Sequence, residues 1–277
     1  MKLFVTGGTG FVGSHFVNEA HRRGHELTVL RRSSDSQPRV TLDHQPRWVT
    51  ASLDAPLSQY LLGHDAVVHL AAHTPNVPYD TLENCLYWNV TASLKLFRSA
   101  YGVGIRRFIA AGSCFEYGAA AERYEYVPTD APLEATLSYP CSKAVASRVF
   151  AAMASDSDAS VTIARIFQVY GPGEAATRLW PSLMAAANEG RDFNCSAGEQ
   201  TRDFVPVQDV AVQIADLLNS KPDPGNIHIK HIGTGRPQTL RQFVEQCWAQ
   251  AGATGRLHFG TKPYREGEIM RLVPKID

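Results

Sequence analysis

The first thirteen residues constrain the fold of this chain more than any other stretch. A short apolar run, Lys2 to Thr6, leads directly into Gly7-Gly-Thr-Gly-Phe-Val-Gly13. The run predicts a buried strand, and the amphipathic stretch from Gly10 to Arg23, closed by Gly24, predicts the helix that follows it. A strand, a glycine turn and a helix start in this order are typical of a dinucleotide pyrophosphate site in a parallel sheet.

Each glycine of the turn has a separate predicted task. Gly7 permits the tight turn, Gly10 lets the backbone approach the phosphates, and Gly13 lets the helix lie close to the strand. The helix N-terminus, at Phe11 and Val12, supplies free N–H groups and a positive dipole end. A glycine-rich loop without a ligand is the alternative, and the strand before and helix after the turn favour nucleotide binding.

Composition limits the partners of the chain. Lysine plus arginine number 27 and so do aspartate plus glutamate, so the net charge gives no reason to expect nucleic acid or a membrane surface as partner. The five cysteines are scattered without a Cys-x-x-Cys pair, which disfavours a zinc or redox site and suits a reducing compartment. We therefore expect no metal. With no signal peptide and no apolar stretch of spanning length, we expect a soluble cytoplasmic protein.

Strand-like and helical stretches alternate along the chain. The strand-like runs are Leu27–Leu30, Trp48–Thr50, Ala66–Leu70, Arg107–Ala111, Val161–Ile166 and Ile227–Ile232, and the helical stretches include Thr81–Ala100 and Tyr139–Ala154. This alternation predicts an α/β fold with a doubly wound parallel sheet, whose ligands bind at the carboxyl ends of the strands.

The pattern loosens after Tyr170-Gly-Pro-Gly173. We expect residues 1–172 to form the dinucleotide-binding domain, with 206–234 returning to it. Residues 173–205 and 235–277 are expected to form a small substrate-binding lobe over the carboxyl edge of the sheet.

The end of the second predicted strand discriminates between the two nicotinamide cofactors. Enzymes that prefer NAD usually place a carboxylate there, on the adenosine ribose. Here the strand ends in Arg31 and Arg32, whose guanidinium groups suit a 2′-phosphate. The alternatives are that the arginines are solvated and that Asp35 contacts the ribose. We expect NADP(H) to be preferred, with NAD(H) as the other possibility.

Tyr139 and Lys143 lie four residues apart at the start of a helical run, so they share one helix face. A free phenol titrates near pH ~10, and a nearby ammonium favours the phenolate, which brings proton exchange toward neutral pH. Ser113, at the end of the Arg107–Ala111 run, can hydrogen-bond a reacting oxygen from the same edge. The spacing alone is common by chance, but together with the glycine turn it predicts a proton-transfer site.

In these residues the chain resembles the extended short-chain dehydrogenase/reductases, the group of sugar-nucleotide epimerases, dehydratases and ketoreductases with a Rossmann-type fold. The resemblance runs nearly end to end, through Gly7 to Gly13, His69-Leu-Ala-Ala72, Asn89-Val-Thr91, Ser113-Cys-Phe-Glu-Tyr-Gly118, Tyr139 to Lys143, Arg165 with Tyr170-Gly-Pro172, Thr201-Arg-Asp-Phe-Val205, Ile232-Gly-Thr-Gly235 and Arg265-Glu-Gly-Glu268.

The resemblance implies a role for each matching position. Tyr139 is the general acid/base, Lys143 holds the nicotinamide ribose and tunes the phenol, and Ser113 polarises the sugar carbonyl. The implied cofactor pocket adds Leu53 at the adenine, with Leu70, Ala71 and Ala72. The implied substrate contacts are Thr74, Gln168, Arg202 and Arg265.

Arg202, and with less support Arg265, would clamp the nucleotide diphosphate, with Arg178 as a further candidate. A surface ion pair between Arg202 and Asp203 is the alternative. The resemblance also implies a homodimer through the helices Thr81–Ala100 and Tyr139–Ala154.

Three departures indicate a branch of the group. The acidic pair that follows the catalytic residue in the dehydratases is replaced by Cys114 and Phe115, and Glu116 is expected to point to the other side of an extended segment. Gln168 stands where the family has asparagine. The third departure is the arginine pair described above, which suits a consumed NADPH.

We therefore expect an NADPH-dependent reductase of a keto group, at C4, on a nucleotide-activated deoxysugar. A 4-epimerase with retained NAD would use the same residues and is the nearest alternative. A non-catalytic nucleotide sensor or scaffold is a third, which the complete set of Ser113, Tyr139 and Lys143 argues against.

Overall fold

The computed structural model describes residues 1–220, 223–265 and 267–276. Glu266, in the motif that begins at Arg265, and Asp277, at the end of the expected lobe, lie outside the described residues.

The strands and helices alternate as the sequence predicts. The strands are β1 Lys2–Thr6, β2 Glu26–Arg31, β3 Arg47–Thr50, β4 Ala66–His69, β5 Arg107–Ser113, β6 Ser160–Ile166, β7 Gln168–Tyr170, β8 Phe193–Asn194, β9 Thr201–Arg202, β10 Phe204–Pro206, β11 Ile227–Ile232, β12 Gln238–Thr239, β13 Leu257–His258 and β14 Arg271–Leu272. The α-helices are α1 Phe11–Arg22, α2 Ser58–Leu61, α3 Leu82–Leu86, α4 Ser93–Gly102, α5 Ser138–Ser155, α6 Leu179–Asn188, α7 Val207–Asp216 and α8 Leu240–Gln250. Short 3₁₀ helices cover Cys114–Tyr117, Ala119–Arg123 and Leu217–Asn219.

Seven parallel strands form the central sheet in the order β11-β6-β5-β4-β1-β2-β3. The order reverses direction at β1, so the loops after β1 and β4 diverge and leave a crevice at the carboxyl ends of the strands. The predicted doubly wound parallel sheet is confirmed. The glycine turn after Thr6 and the loop after His69 lie side by side at this edge of the sheet, where Gly7 is close to the backbone of Ala71.

Each face of the sheet has its own apolar core. On one face α1 and α7 pack together over β1, with Val5 and Phe16 fully buried. On the other face Phe97 of α4 stacks on Phe150 of α5 at a ring-centroid distance of 4.4 Å, and both lie in the same core as Phe108 of β5. This packing fixes α5 against the strands that end at the crevice.

A third apolar cluster joins two separated segments of the chain. Helices α6 and α8 share it, and Phe204 stacks on Phe243 at 3.9 Å. Strand β13 pairs with β8, while β12 and β14 flank β9. Elements from 173–205 and from 235–276 are therefore packed and paired with one another. The division into a dinucleotide domain and a substrate lobe remains our prediction.

The predicted helix Thr81–Ala100 is interrupted. Between α3 and α4 the backbone forms one π-helical segment, Tyr87–Ala92. Such segments occur most often as single turns inserted in α-helices and are frequent at functional sites. Among the described residues no helix is both long enough and apolar enough to cross a membrane.

Candidate active site

The glycine turn after β1 is closed tightly against its neighbours. Gly7 has φ +76°, and a Cβ there would lie 2.4 Å from the backbone nitrogen of Ala71. A Cβ on Gly13 would lie 1.9 Å from the carbonyl oxygen of Gly7. The amide of Gly10 donates to that same oxygen at 2.8 Å. Only glycine fits at Gly7 and Gly13, because any side chain would collide with backbone.

The helix that follows presents an open N-terminus. Gly10 is its N-cap, and within the described residues no side chain caps the first turn of α1 and no acidic residue lies in it. The amides at Phe11 and Val12 therefore face the crevice with the positive end of the helix dipole and no competing carboxylate. A cradle that a Cβ would fill, at an uncapped helix start, fits the pyrophosphate of a dinucleotide.

The loop after β4 is anchored to β1. The amide of Leu70 donates to the carbonyl oxygen of Thr6 at 3.0 Å, and the amide of Ala71 approaches the Thr6 hydroxyl at 3.4 Å. His69 Nδ1 lies 2.6 Å from that hydroxyl. Burial, with a smaller contribution from Lys143, lowers the pKa of His69 to about 3. The His69 imidazole is therefore uncharged at neutral pH. Ala72, which follows Ala71, is exposed.

The arginines at the end of β2 differ in their surroundings. The Nε of Arg31 donates to the hydroxyl of Thr50 at 3.1 Å, and its guanidinium carbon lies 5.1 Å from the centre of the Trp48 ring. Arg32 is exposed. Leu53, in the loop after β3, is half-buried against the adjoining core. The structure thus holds Arg31 along the neighbouring strand and leaves Arg32 in solvent.

Ser113 ends β5 and caps the 3₁₀ helix that follows. Its buried hydroxyl accepts a hydrogen bond from the amide of Phe115 at 3.2 Å. Because that bond occupies an oxygen lone pair, the hydroxyl proton remains available for a second group. Ser113 is therefore set to donate to an oxygen in the crevice.

Glu116 corrects one expectation. Residues Cys114–Tyr117 form a 3₁₀ helix rather than an extended segment, so the carboxylate turns back beneath Ser113. There it accepts a hydrogen bond from the amide of Ser113 at 2.7 Å, and it completes a capping box at this helix start. The expectation of an extended segment was therefore wrong, because Cys114–Tyr117 form a 3₁₀ helix. The carboxylate is fully buried and occupied by protein groups.

Tyr139 and Lys143 are both buried on one face of α5. The ring of Tyr79 lies 5.4 Å from the ring of Tyr139. Burial raises the pKa of Tyr139, and the charge of Glu116 adds to this rise. In the protein alone the Tyr139 pKa is therefore shifted in the direction opposite to the expected lowering, because burial is the largest influence on it. The phenol is held in its protonated, donating form.

Lys143 is buried, and no acidic side chain of the described residues forms an ion pair with it. Burial lowers its pKa, partly offset by the charge of Glu116, and within the described residues it forms no ion pair. A buried ammonium without a counter-charge is costly unless a polar group reaches it. The predicted ribose contact would supply such a group, so Lys143 fits the cofactor as well as the glycine cradle does.

Thr74 lies in a loop held by specific bonds. Its φ of +45° is an uncommon conformation for a β-branched residue. His73 Nε2 lies 2.7 Å from Asp80 Oδ2, and Ser138, next to Tyr139, donates to the carbonyl oxygen of Asp80 at 2.7 Å. The loop that carries Thr74 and Tyr79 is therefore fastened to the start of α5. Its fastening places an aromatic ring beside Tyr139.

Arg202 is buried and already paired. Its guanidinium donates to Glu268 Oε1 at 2.7 Å and to the carbonyl oxygen of Ile269 at 2.5 Å. The alternative of a surface pair with Asp203 is wrong, because the fully buried Asp203 instead accepts hydrogen bonds from the turn that begins at Thr234. Arg202 therefore lies within residues 173–205 and 235–276, here called the lobe segments, with the Glu268 carboxylate beside it.

The other candidate substrate residues lie on different elements. Gln168 is half-buried on β7, and Arg265 is exposed in the loop before β14. The charges of Arg265 and Arg178 both oppose the burial that raises the pKa of Tyr79. The Arg178 charge does the same at Tyr139. The charges of Arg178 and Arg265 therefore both act on Tyr79, and that of Arg178 also acts on Tyr139.

Three residues of this site were missed or misread in the sequence. Asn89, in the π-helical segment, donates to the hydroxyl of Ser142 at 2.9 Å and so ties α5 to the loop at His73. Its motif gave a signal, but no role was assigned. Tyr79 gave no signal, because an aromatic residue in a loop has no periodic pattern. Glu116 lies in a 3₁₀ helix where the sequence analysis expects an extended segment.

Comparisons with known proteins give one consistent picture. The model of the "NAD dependent epimerase/dehydratase family" matches residues 3–229. A UDP-glucose 4-epimerase of Neisseria meningitidis serogroup C is 25% identical over 97% of this chain and 87% of its own length. A CDP-abequose synthase of Salmonella muenchen is 23% identical over the same shares, 97% and 87%. The solved structure of MoeE5 in complex with UDP-glucuronic acid and NAD superposes with a TM-score of 0.85 at 26% identity, covering 100% of this chain and 90% of that one.

Proposed function

The chain belongs to the NAD-dependent epimerase/dehydratase family, and from that premise we propose that it is an NADPH-dependent reductase of a keto group on a nucleotide-activated deoxysugar. We place the reacting carbonyl at C4. The observation that carries the choice of reductase is the end of β2, where Arg31 and Arg32 stand and no carboxylate follows at once. Two guanidinium groups suit a 2′-phosphate, and NADPH is the hydride donor that cells commonly supply for reductions.

The proposed chemistry uses three residues of the crevice. The cofactor, when bound, supplies the hydride. The Ser113 hydroxyl, already an acceptor from Phe115, donates its proton in a hydrogen bond to the carbonyl oxygen. The Tyr139 phenol, held protonated by burial, gives its proton to the oxygen as negative charge develops there. Lys143 would hold the ribose.

The surroundings of Ser113 argue against water elimination. Cys114 is buried, and burial raises the pKa of its thiol to about 12. Phe115 has no titratable group, and the Glu116 carboxylate is bonded to protein donors. Neither position after Ser113 supplies the acid or base that elimination requires.

A 4-epimerase is the second candidate, favoured by the UDP-glucose 4-epimerase among the relatives and by the NAD in the MoeE5 structure. It would oxidise and then reduce the same carbon with retained cofactor. The CDP-abequose synthase shows that relatives of equal coverage act on other nucleotide sugars. The two candidates differ in whether NADPH is consumed for each product formed.

The decisive experiment measures how much NADPH is consumed for each product formed. The purified protein is mixed with NADPH and a UDP-, CDP- or dTDP-linked 4-keto-6-deoxysugar, and loss of NADPH is compared with product formed. A reductase consumes one NADPH per product, whereas an epimerase carries tightly bound NAD and consumes none. Tyr139→Phe should slow a single turnover by ~10²–10⁴ while cofactor binding stays intact. Retained NAD with no net consumption would reject the reductase.

The cofactor preference has its own test. Replacing Arg31 and Arg32 together by alanine should weaken NADPH by about tenfold to a hundredfold and leave NADH nearly unchanged, because charge-assisted bonds to phosphate contribute ~1.5–3 kcal/mol. Arg47→Ala, at the opposite end of β3, is the matched control. Fluorescence titration of both cofactors measures the effect. Equal affinities in the unaltered protein would reject NADPH preference.

A further inference from the structure

A fully buried carboxylate joins three elements of the site. Glu116 Oε1 accepts from the amide of Ser113 at 2.7 Å, while Oε2 accepts from the Ser147 hydroxyl at 2.8 Å and from Arg165 Nε at 3.0 Å. Ser113 ends β5, Ser147 lies on α5, and Arg165 lies on β6. No other carboxylate of the described residues holds Ser113 and α5 together.

We propose that Glu116 is a positioning residue, whose carboxylate fixes Ser113 at the end of β5 against the face of α5 that carries Tyr139 and Lys143. The proposal rests on the catalytic roles proposed above for Ser113 and Tyr139. Glu116 touches neither substrate nor cofactor. It acts through the groups that it holds.

The helix register supports the inference. Tyr139, Lys143 and Ser147 follow one another at intervals of four residues, so they line one face of α5. A bond to Ser147 therefore sets the rotation of that face. The second oxygen of the same carboxylate sets the position of Ser113. Because one rigid group makes both bonds, the distance between the two catalytic side chains is fixed through it.

The carboxylate is itself held from below. Arg165 has its side chain 4% exposed, and it also donates to the Tyr117 hydroxyl at 2.7 Å and to the carbonyl oxygen of Thr129 at 2.9 Å. Two partners of Glu116, an amide and a guanidinium, can only donate, which suits an ionised carboxylate. At Gly112 a Cβ would lie 2.8 Å from Glu116 Oε1, so the residue before Ser113 leaves room for this oxygen.

The charge of Glu116 also reaches the reacting groups. It raises the pKa of Tyr139 and opposes the lowering of the Lys143 pKa. At Tyr139 the neighbours Tyr79 and Cys114 act in the same direction as Glu116, and Arg178 acts against it. Neutralising Glu116 should therefore let the phenol ionise at lower pH.

The chain offers a matched control in Glu19. This carboxylate is also buried, and it pairs with Arg22 at 2.7 Å and Arg23 at 2.6 Å on α1. It lies on the helix surface that faces α7 and holds none of the catalytic groups. A merely structural buried ion pair would make Glu116→Gln and Glu19→Gln alike, with lost stability and unchanged chemistry.

The test is single-turnover hydride transfer across pH for the wild type, Glu116→Gln and Glu19→Gln. We expect Glu116→Gln to lower the rate by about tenfold or more with KM and cofactor affinity within about twofold, since misplacement of reacting groups affects the chemical step. Its basic limb should move to lower pH. Glu19→Gln should change neither. Equal effects of the two variants on rate and pH profile would overturn the proposal.

Two further measurements keep the proposal falsifiable. If Glu116→Gln does not fold, Ser147→Ala removes the bond to α5 and leaves the Arg165 pair, and it should lower the rate several-fold with little change in Tm. An unchanged rate overturns the proposal. If the wild type transfers no hydride, the proposed function has failed. The titration of Tyr139 can still be measured, as the difference between the ultraviolet pH titrations of a protein with Tyr139 and the same protein with Tyr139→Phe. A Tyr139 titration that Glu116→Gln leaves unchanged would overturn the inference in that case too.

Discussion

The crevice at β1 and β4 and the lobe segments around β9 prepare for a ligand in opposite ways. At the crevice the site is shaped by backbone atoms. Gly7 and Gly13 are packed so closely that any Cβ would collide with main-chain atoms. In the lobe segments two arginines considered for the diphosphate already have carboxylate partners. Arg202 pairs with Glu268, and Arg178 pairs with Glu174. A ligand can enter the first region without breaking a bond, whereas in the second it must compete with a carboxylate.

This contrast explains why one region is easier to infer from sequence. A motif that encodes backbone geometry carries its structure with it, because a glycine turn between a strand and a helix has few alternative conformations. A motif that encodes a charge does not name its partner. Glu268 lies 66 residues after Arg202, and nothing local joins them.

The largest effect expected in this comparison follows from adding one methyl group to the cradle. Gly13→Ala places a Cβ 1.9 Å from the Gly7 carbonyl oxygen, so the turn must shift and its amides lose their alignment. We expect the cofactor dissociation constant to rise by about a hundredfold, or ~3 kcal/mol, measured by fluorescence titration.

Two glycines serve as controls for that change. At Gly102 a Cβ meets nothing within 4 Å, so Gly102→Ala should leave cofactor binding unchanged. At Gly10 a Cβ would lie 3.1 Å from the same Gly7 oxygen, so an intermediate effect is expected. If Gly13→Ala binds cofactor as the unaltered chain does, the claim that backbone shape governs the crevice is lost.

The lobe counterpart is Arg202→Ala. If this guanidinium grips a diphosphate, its loss should weaken a nucleoside diphosphate by about tenfold or more, since charge-assisted bonds contribute ~1.5–3 kcal/mol. Cofactor affinity should not change, because the site proposed for the cofactor pyrophosphate is the start of α1. Calorimetric titration with UDP and CDP measures the effect. Arg191→Ala, which removes an exposed pair with Glu189, is the control, and an unchanged affinity in Arg202→Ala would place the diphosphate elsewhere.

The sequence predicted the elements of the crevice well for physical reasons. Strands β1, β4 and β5 are apolar runs that end at polar or small residues, and the position of Ser113 follows from the end of β5. The turn at Glu116 was not predicted, although Ser113-Cys-Phe-Glu116 has the S-x-x-E spacing of a capping box and so carried a signal for a helix start. The sequence also did not predict Tyr79 beside Tyr139, because that contact depends on how a loop is fastened by His73 and Asp80.

The two regions should also differ in their response to acid. Folded His69 stays neutral down to about pH 3, whereas an unfolded histidine takes up a proton below ~6.5. Its contribution is therefore complete above the unfolded pKa and falls with pH below it, by about 1.4 kcal/mol between about pH 7.5 and about pH 5.5. Urea unfolding of the wild type and His69→Gln should show this difference in slope. His258→Gln is the control, because the His258 side chain is partly exposed and pairs with Asp192 in the lobe segments. If the wild type and His69→Gln show the same slope, His69 is not held neutral by burial.

The smallest expected effect tests whether the carboxylate in the lobe competes with the ligand. Glu268 has its side chain 20% exposed and lies 2.7 Å from Arg202. In Glu268→Gln the amide oxygen can still accept from the guanidinium, but the negative charge that would repel a diphosphate is gone. We expect UDP or CDP to bind about two- to fivefold more tightly, a change of ~0.5–1 kcal/mol, because one partly screened charge is removed.

The opposite sign would be equally informative. If Glu268→Gln weakens the diphosphate, the carboxylate orients Arg202 for its ligand rather than competing with it, and the contrast between an open crevice and an occupied lobe fails. Glu189→Gln, at the exposed Arg191 pair, controls for the general loss of negative charge from these segments. Calorimetric titration of both variants with UDP and CDP gives the sign of the effect, which separates repulsion from orientation.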